Sequence, residues 1–211
     1  MAGFDGVGWS PERARMVDEQ IVARGITDPA VLRAMRTIPR ERFVPEEVRE
    51  QAYDDAPLAI GRGQTISQPY IVALMTELAG LSPASRVLEI GTGCGYQGAV
   101  LAACAAHVWS VELEAELSAR AARTLASVGI ANVTLRVGDG ALGWPEEAPF
   151  DAIVVTAAPV ATPPALLEQI GPEGRLIIPL GAAAQELYVV TRGASGVSRR
   201  AVLPVRFVPL R

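Results

Sequence analysis

The run VLEIGTGCGY, residues 87–96, constrains this 211-residue chain more than any other stretch. Val87, Leu88 and Ile90 form a short apolar run of the kind found in a parallel strand covered on both faces, and Gly91, Gly93 and Gly95 follow at once. Glycines so placed permit positive φ and close approach to the backbone, and a helix should open at about Tyr96. The spacing is G-x-G-x-G. A dinucleotide fingerprint would need glycine at 96, where tyrosine stands, and the G-K-[ST] of a phosphate loop is absent, so NAD and ATP are disfavoured. Glu89 puts a carboxylate inside the apolar run, and burying one is costly unless something nearby pairs with it. A cationic cofactor would supply such a partner. The next strand, HVWSVE, ends at Glu112, about 20 residues beyond the first glycine, where an acidic side chain accepts the two ribose hydroxyls of a nucleotide. Ribose, adenine and a positive sulfonium are combined in S-adenosylmethionine.

Half of the residues are hydrophobic, yet no apolar stretch approaches the roughly 18 residues that suggest a membrane span. The length suits one core. We expect a single domain over 1–211, with residues 1–66 a helical segment and loop and residues 67–211 the sheet. The first sixteen residues lack the basic start and apolar centre of a signal peptide, which makes the cytoplasm the expected compartment. Formal net charge is −4, and the basic residues are spread without a stripe, so nucleic acid is not an expected partner. Cys94 and Cys104, ten apart across a loop and helix, are too far separated for a disulfide and read as free thiols, Cys94 as a small loop filler. His107, the one histidine, has no partner for metal binding or a nucleophilic triad and reads as structural. No metal site is expected.

Ser10-Pro11-Glu12 carries an N-cap, N1 and first-turn signal for a helix running to Gly25, and Asp28-Pro29 repeats it for a second helix ending near Pro39. Met16, Val17, Ile21, Val31, Leu32 and Met35 supply the buried stripe. Residues 54–69, DDAPLAIGRGQTISQP, are turn-rich and read as a long loop, a kind of connection that often serves function. Ser67 then caps a helix over Pro69 to Ala79, closed by Gly80. From Arg86 strands and helices alternate: RVLEIG, a helix to about Ala105, HVWSVE, a helix to Val128, VTLRVGD, and FDAIVVTAA. That period implies parallel strands with crossover helices. A short helix around 164–170 precedes RLIIPLG, ELYVVTRG and VLPVRFVPL, which should close the sheet with an antiparallel pair. An open α/β sheet binds ligand beyond the carboxyl ends of its strands, which gathers Gly91, Glu112, Asp139 and Thr156. Asp139 could accept from an adenine amine, or simply form a turn with Gly140.

With GRGQTISQPY (61–70), VLEIGTGCGYQ (87–97), GDG (138–140), APFDAIVVTAAP (148–159), GRLIIPLG (174–181) and VRFVPL (205–210), the chain resembles the protein-L-isoaspartate O-methyltransferase family over nearly everything after residue 10. QTISQP and VRFVPL are the more specific motifs. The resemblance implies a Rossmann-like S-adenosylmethionine-dependent methyltransferase fold, with a mostly parallel seven-stranded sheet, an antiparallel end and an N-terminal helical segment. It implies methyl transfer to the α-carboxylate of isoaspartyl residues in damaged proteins and peptides, with S-adenosylhomocysteine as product and a monomer acting on neither nucleic acid nor membrane. It further implies Ser67 as the active-site residue. Cofactor contacts fall on Gln64, Thr65, Ile66, Glu89, Gly91, Thr92, Gly93, Gly95, Tyr96, Gln97, Glu112, Leu113, Asp139, Gly140 and Thr156. Substrate contacts fall on Ile66, Ser67, Val205, Arg206, Phe207 and Val208, with the last strand pairing with substrate backbone. A relative that methylates aspartate in one dedicated peptide or natural product would share these features.

Overall fold

The computed structural model describes residues 10–193 and 196–211; residues 1–9, with most of the N-terminal stretch read above for a signal peptide, lie outside it. The chain opens in helix α1 (Pro11–Arg15), whose N-cap Ser10 accepts from the Arg13 N–H and whose coil continues with wider and then tighter pitch through residues 16–24. Gly25, at φ 92°, ends it. Helix α2 (Pro29–Thr37) starts on Asp28, whose carboxylate accepts from the Ala30 and Val31 N–H groups at 2.7 and 3.1 Å. Met16, Val17, Ile21, Val31 and Met35 are buried, as their helical spacing implies, and Leu32 packs against them at the margin.

Residues 54–69 are more ordered than a loop. Strands β1 (Leu58–Gly61) and β2 (Gln64–Ile66) form an antiparallel hairpin in which Gly61 and Gln64 flank a two-residue turn. Arg62 and Gly63 both take positive φ, 56° and 69°, the turn geometry that matches strand twist. Helix α3 (Pro69–Ala79) has Gln68, not Ser67, at its N-cap, and Gly80 closes it at φ 64°. Pro69 at the first helical position has no N–H to satisfy, and the serine one residue outside the cap makes no capping hydrogen bond.

The main sheet contains β3 (Arg86–Ile90), β4 (His107–Glu112), β5 (Val133–Val137), β6 (Phe150–Val155), β7 (Ile170–Leu180), β8 (Gln185–Gly193) and β9 (Gly196–Val205) in the order β5-β4-β3-β6-β7-β8-β9. The first five are mutually parallel, and β7-β8-β9 is an antiparallel meander. Helices α4 (Tyr96–Ala102), α5 (Ala115–Ser127) and α6 (Pro164–Gln169) connect the parallel strands. Two apolar layers result, one on each face of the sheet: Val87, Val108, Ala152, Val154 and Ile177 point to one, Leu88, Ile90, Val111, Ile153 and Val155 to the other.

Two strands differ from expectation. β7 begins five residues early, at Ile170, because the chain bulges between the partners Phe150↔Ile170 and Ala152↔Arg175 and then resumes the ladder. β9 runs from Gly196 to Val205, not 202–210. Its early residues are an exposed, polar edge that carries no apolar alternation, so they escape a hydrophobic pattern. Beyond Val205 the chain leaves β8 and crosses to the loop after β6, where Ala158 donates to the Val208 carbonyl at 2.8 Å and accepts from the Leu210 N–H at 3.0 Å.

Candidate functional site

At the carboxyl edge of the parallel strands lies a cleft partly open to solvent. Strand β3 breaks at Gly91, whose N–H still reaches the Val111 carbonyl at 2.8 Å. A β-carbon on Gly91 would lie 2.4 Å from Thr156 Oγ1, and φ there is 94°, so only glycine lets the loop turn against β6. The neighbouring strand delivers Glu112. One of its oxygens accepts from the Gly93 N–H at 2.7 Å and the other from the Glu114 N–H at 3.0 Å. Each oxygen keeps a second acceptor position, so the carboxylate is held by backbone donors and still able to take two hydroxyls.

The cleft wall contains Gln64, Thr65, Gly91, Gly93, Glu112, Leu113, Gly140, Thr156 and Val208 from the residues singled out in the sequence. It also contains Ile90, Val111, Ala157 and the segment Pro209–Arg211, which sequence reasoning left out. The tail arrives because Ala158 pairs with it and because Arg211 reaches Glu114 at 3.0 Å. From the other side the β1–β2 hairpin is fastened to α5 by an Arg62–Glu116 ion pair and by Arg120 donating to the Ile60 carbonyl. Segments some 150 residues apart in the chain therefore meet over one cleft.

Other singled-out residues stand behind the wall. Gly95 packs on helix α5, where a β-carbon would meet Ala121 at 3.2 Å. Tyr96 is buried edge-on to Phe43, ring centroids 5.4 Å apart, and Gln97 donates to Thr76 at 2.9 Å. Thr92 and Ser110 share a hydroxyl contact of 2.6 Å, and Ser110 donates to Glu89 at 2.5 Å. Glu89 has no exposed surface, and its Oε1 has no hydrogen-bond partner among the described residues. Burial, reinforced by the charge of Glu112, pushes its carboxyl up to about 8 despite hydrogen bonds from Ser110 and the Gly98 N–H. A neutral carboxylic acid in the sheet needs no cationic ligand to balance it. Asp139 accepts from the Ala141 N–H at 2.8 Å and so performs the turn role, on an exposed rim beside Gly140.

Ser67 follows Thr65 by two residues and is half-buried; its hydroxyl makes no hydrogen bond within the described residues, while its carbonyl accepts from Arg40 at 2.7 Å. Ile66 beside it is buried. A second groove, which shares Pro209 as a wall residue with the cleft, is lined by Ala158, Gly181, Gln185, Val205, Arg206 and Phe207. Within it the Gln185 amide holds Phe207 at both backbone groups, at 2.6 and 3.1 Å. Phe207 thus spends both backbone groups inside the chain, Val208 its carbonyl and Leu210 its N–H. The other cysteine and histidine readings resolve simply. Burial pushes the Cys94 thiol up to about 11, and His107 meets Thr134 at 2.8 Å and stacks on Trp109.

A seven-stranded sheet that is parallel through its first five strands and ends in an antiparallel meander, with a glycine turn and a backbone-held carboxylate at its carboxyl edge, defines the Rossmann-like methyltransferase class. The match to known proteins is more specific. Residues 12–211 match the family model for protein-L-isoaspartate(D-aspartate) O-methyltransferase, and the chain belongs to that family. A protein-L-isoaspartate O-methyltransferase of Opitutus terrae is 57% identical over 200 residues, covering 94% of this chain and 86% of its own. One from Picosynechococcus is 52% identical over 199 residues, with 94% and 90% covered. Among solved structures, one named protein-L-isoaspartate O-methyltransferase superposes with a TM-score of 0.86 at 31% identity over 93% of this chain and 65% of that chain. A putative Plasmodium falciparum protein of the same name, in complex with S-adenosyl-L-homocysteine, gives 0.83 at 26% identity over 96% and 99%.

Proposed function

We propose that this chain is a protein-repair methyltransferase that moves the methyl group of S-adenosylmethionine to the α-carboxylate of L-isoaspartyl residues in damaged proteins and peptides. Family membership carries the reading, and the cleft fits the donor: Glu112 keeps two acceptor positions for ribose hydroxyls, and Gly91, at φ 94°, lets the loop turn tightly against Thr156 at the cleft wall. Bound there, the sulfonium supplies an activated methyl electrophile. The acceptor carboxylate is ionised at neutral pH, since free carboxyls titrate near 4, so no side chain has to remove a proton. What the protein must do is align oxygen with methyl carbon and exclude water. Gln64 and Thr65 close one side of the cleft, with Ile66 buried behind them. Gly140, Thr156 and Leu113 form its floor and rim. Ser67, with a free hydroxyl, donates to the substrate carboxylate, and the groove along Val205, Arg206 and Phe207 takes the peptide flanking it. Peptide recognition there falls chiefly to side chains and to what backbone remains unpaired.

We further read the chain as one methyltransferase domain acting as a cytoplasmic monomer on proteins and peptides, not on nucleic acid or membrane. Among the described residues no helix is long and apolar enough to cross a bilayer. The deciding experiment compares methyl transfer to an isoaspartyl peptide and to its aspartyl twin. Transfer confined to the isoaspartyl form supports general repair; transfer to the twin favours a dedicated aspartate modifier. Ser67→Ala should cut kcat/KM by roughly 10- to 100-fold, the worth of a hydrogen bond to a charged group, with unfolding temperature unchanged because the serine caps nothing. Normal turnover in S67A would remove the serine from the chemistry.

A further inference from the structure

Arg40 sits in a single tight turn after Pro39 and has no exposed surface. Its Nε donates to the Ala52 carbonyl and its Nη2 to the Ser67 carbonyl, both at 2.7 Å. Its guanidinium carbon stands 4.9 Å from the centre of the Tyr96 ring, the first residue of helix α4 beyond the glycine turn. Nη1 has no hydrogen-bond partner, and among the described residues no carboxylate pairs with the group. A buried cation with an unused donor and no counter-ion is expensive, and an apolar side chain of similar volume would commonly serve stability better. Burial accordingly lowers its pKa from the ordinary arginine value. Packing therefore does not account for an arginine here, whereas its two ends do: one grips the peptide of Ser67, and the other lies on the residue that launches α4 from the donor-binding turn.

We propose that Arg40 is a positioning residue for methyl transfer, fixing the Ser67 backbone relative to the glycine turn so that the serine hydroxyl meets the substrate carboxylate in line with the methyl group. The inference rests on the role given to Ser67 above. A planar guanidinium can hold two carbonyls and stack on a ring at once; a lysine ammonium is a point donor and cannot reproduce that fork. Loss of alignment by about 1 Å can cost on the order of 100-fold in rate. Arg40 is not among the residues lining the cleft, so donor affinity should be spared.

The test is a cycle of Arg40→Lys, Ser67→Ala and the double variant, measured as kcat with saturating donor and isoaspartyl peptide, beside calorimetric binding of S-adenosylhomocysteine. R40K should lose about 10-fold or more in kcat and bind S-adenosylhomocysteine within about 3-fold of the parent, and the double variant should be no slower than S67A alone, because both changes break one unit. Losses that multiply in the double variant would overturn the inference, as would R40K with parental kcat. Full turnover by S67A would instead strike the serine assignment and the inference with it, and is visible separately in the single variant. Should R40K not fold, Arg40→Met, which removes the buried charge and keeps the volume, enters the same cycle.

Discussion

Replacing Glu89 by glutamine tests whether this chain keeps a carboxylic acid neutral inside its sheet. The carboxyl titrates at about 8 in the folded protein against 4.5 for the ordinary side chain, because burial disfavours its charged form. A folded pKa raised above the unfolded one means that the folded state holds the proton more tightly. The associated stability is complete below about pH 4.5, drains as the unfolded chain ionises, and is gone once pH passes 8. Over the whole window the loss is roughly 5 kcal/mol, and between pH 6 and pH 9 it is roughly 2.5 kcal/mol, at 1.36 kcal/mol per pKa unit. Glutamine has no proton to lose. Its amide nitrogen, placed where Oε1 now stands without a partner, adds a cost of about 1–3 kcal/mol that does not change with pH.

Urea unfolding of parent and E89Q at pH 6, 7, 8 and 9, without ligand, separates the two contributions. All other titrating groups are common to both proteins and cancel in the difference. The variant should be the weaker at pH 6 and should gain on the parent by roughly 2.5 kcal/mol by pH 9, with equal m-values. A stability difference that stays flat across those four pH values would refute the reasoning. It would mean that Glu89 has the same protonation state folded and unfolded, and that the Thr92–Ser110–Glu89 chain holds a carboxylate.

Gly91→Ala places a β-carbon 2.4 Å from Thr156 Oγ1 at φ 94°; it should cost about 1–3 kcal/mol of stability and weaken S-adenosylhomocysteine binding by about 10-fold or more in calorimetry, and an unchanged affinity would take Gly91 out of the donor cradle. Both thiols are buried and pushed up, Cys94 to about 11 and Cys104 to about 12. Native protein at pH 8 should react slowly at both with a thiol-exchange dye and quickly at both in guanidinium; one fast native thiol would contradict the burial.

What the sequence disclosed is what local chemistry dictates. The Gly91 turn, the Ser10 and Asp28 caps and the alternating strands each announce themselves within ten residues, since φ preference, capping and apolar period are short-range properties. The β1–β2 hairpin escaped because its strands of four and three residues are too short to show a period, although Gly61-Arg62-Gly63 between LAI and QTI carried a turn signal. Arg40 escaped for a different reason. Its partners lie 12 and 27 residues away, and only the assembled fold turns an arginine in an unremarkable P-R-E-R stretch into a buried cation. The internal pairing of the tail escaped too, because nothing in VRFVPL reveals that Ala158 and Gln185 occupy part of its backbone.

The two kinds of fastening around the cleft differ in strength, and the reaction explains the difference. At their outermost points, beyond the Arg120–Ile60 bond and the pairing of the tail with Ala158, the hairpin tip and the tail are tied to the start of α5 by Arg62–Glu116 and Arg211–Glu114, pairs whose side chains are about one third to two thirds exposed. Such pairs are worth about 0–1 kcal/mol and weaken with salt. Ser67, by contrast, hangs from a fully buried guanidinium, and residues 36–53 around it are braced by Arg13, also buried, through Tyr53, Glu41 and the Thr37 carbonyl. Donor and product must exchange at every turnover, so the cover has to loosen cheaply. On the proposed reading, a carboxylate attacking without a general base depends on alignment, so Ser67 has to stay in place when the cover loosens. Placing weak, solvent-facing ion pairs on the cover and a buried arginine beneath the serine satisfies both demands on one chain.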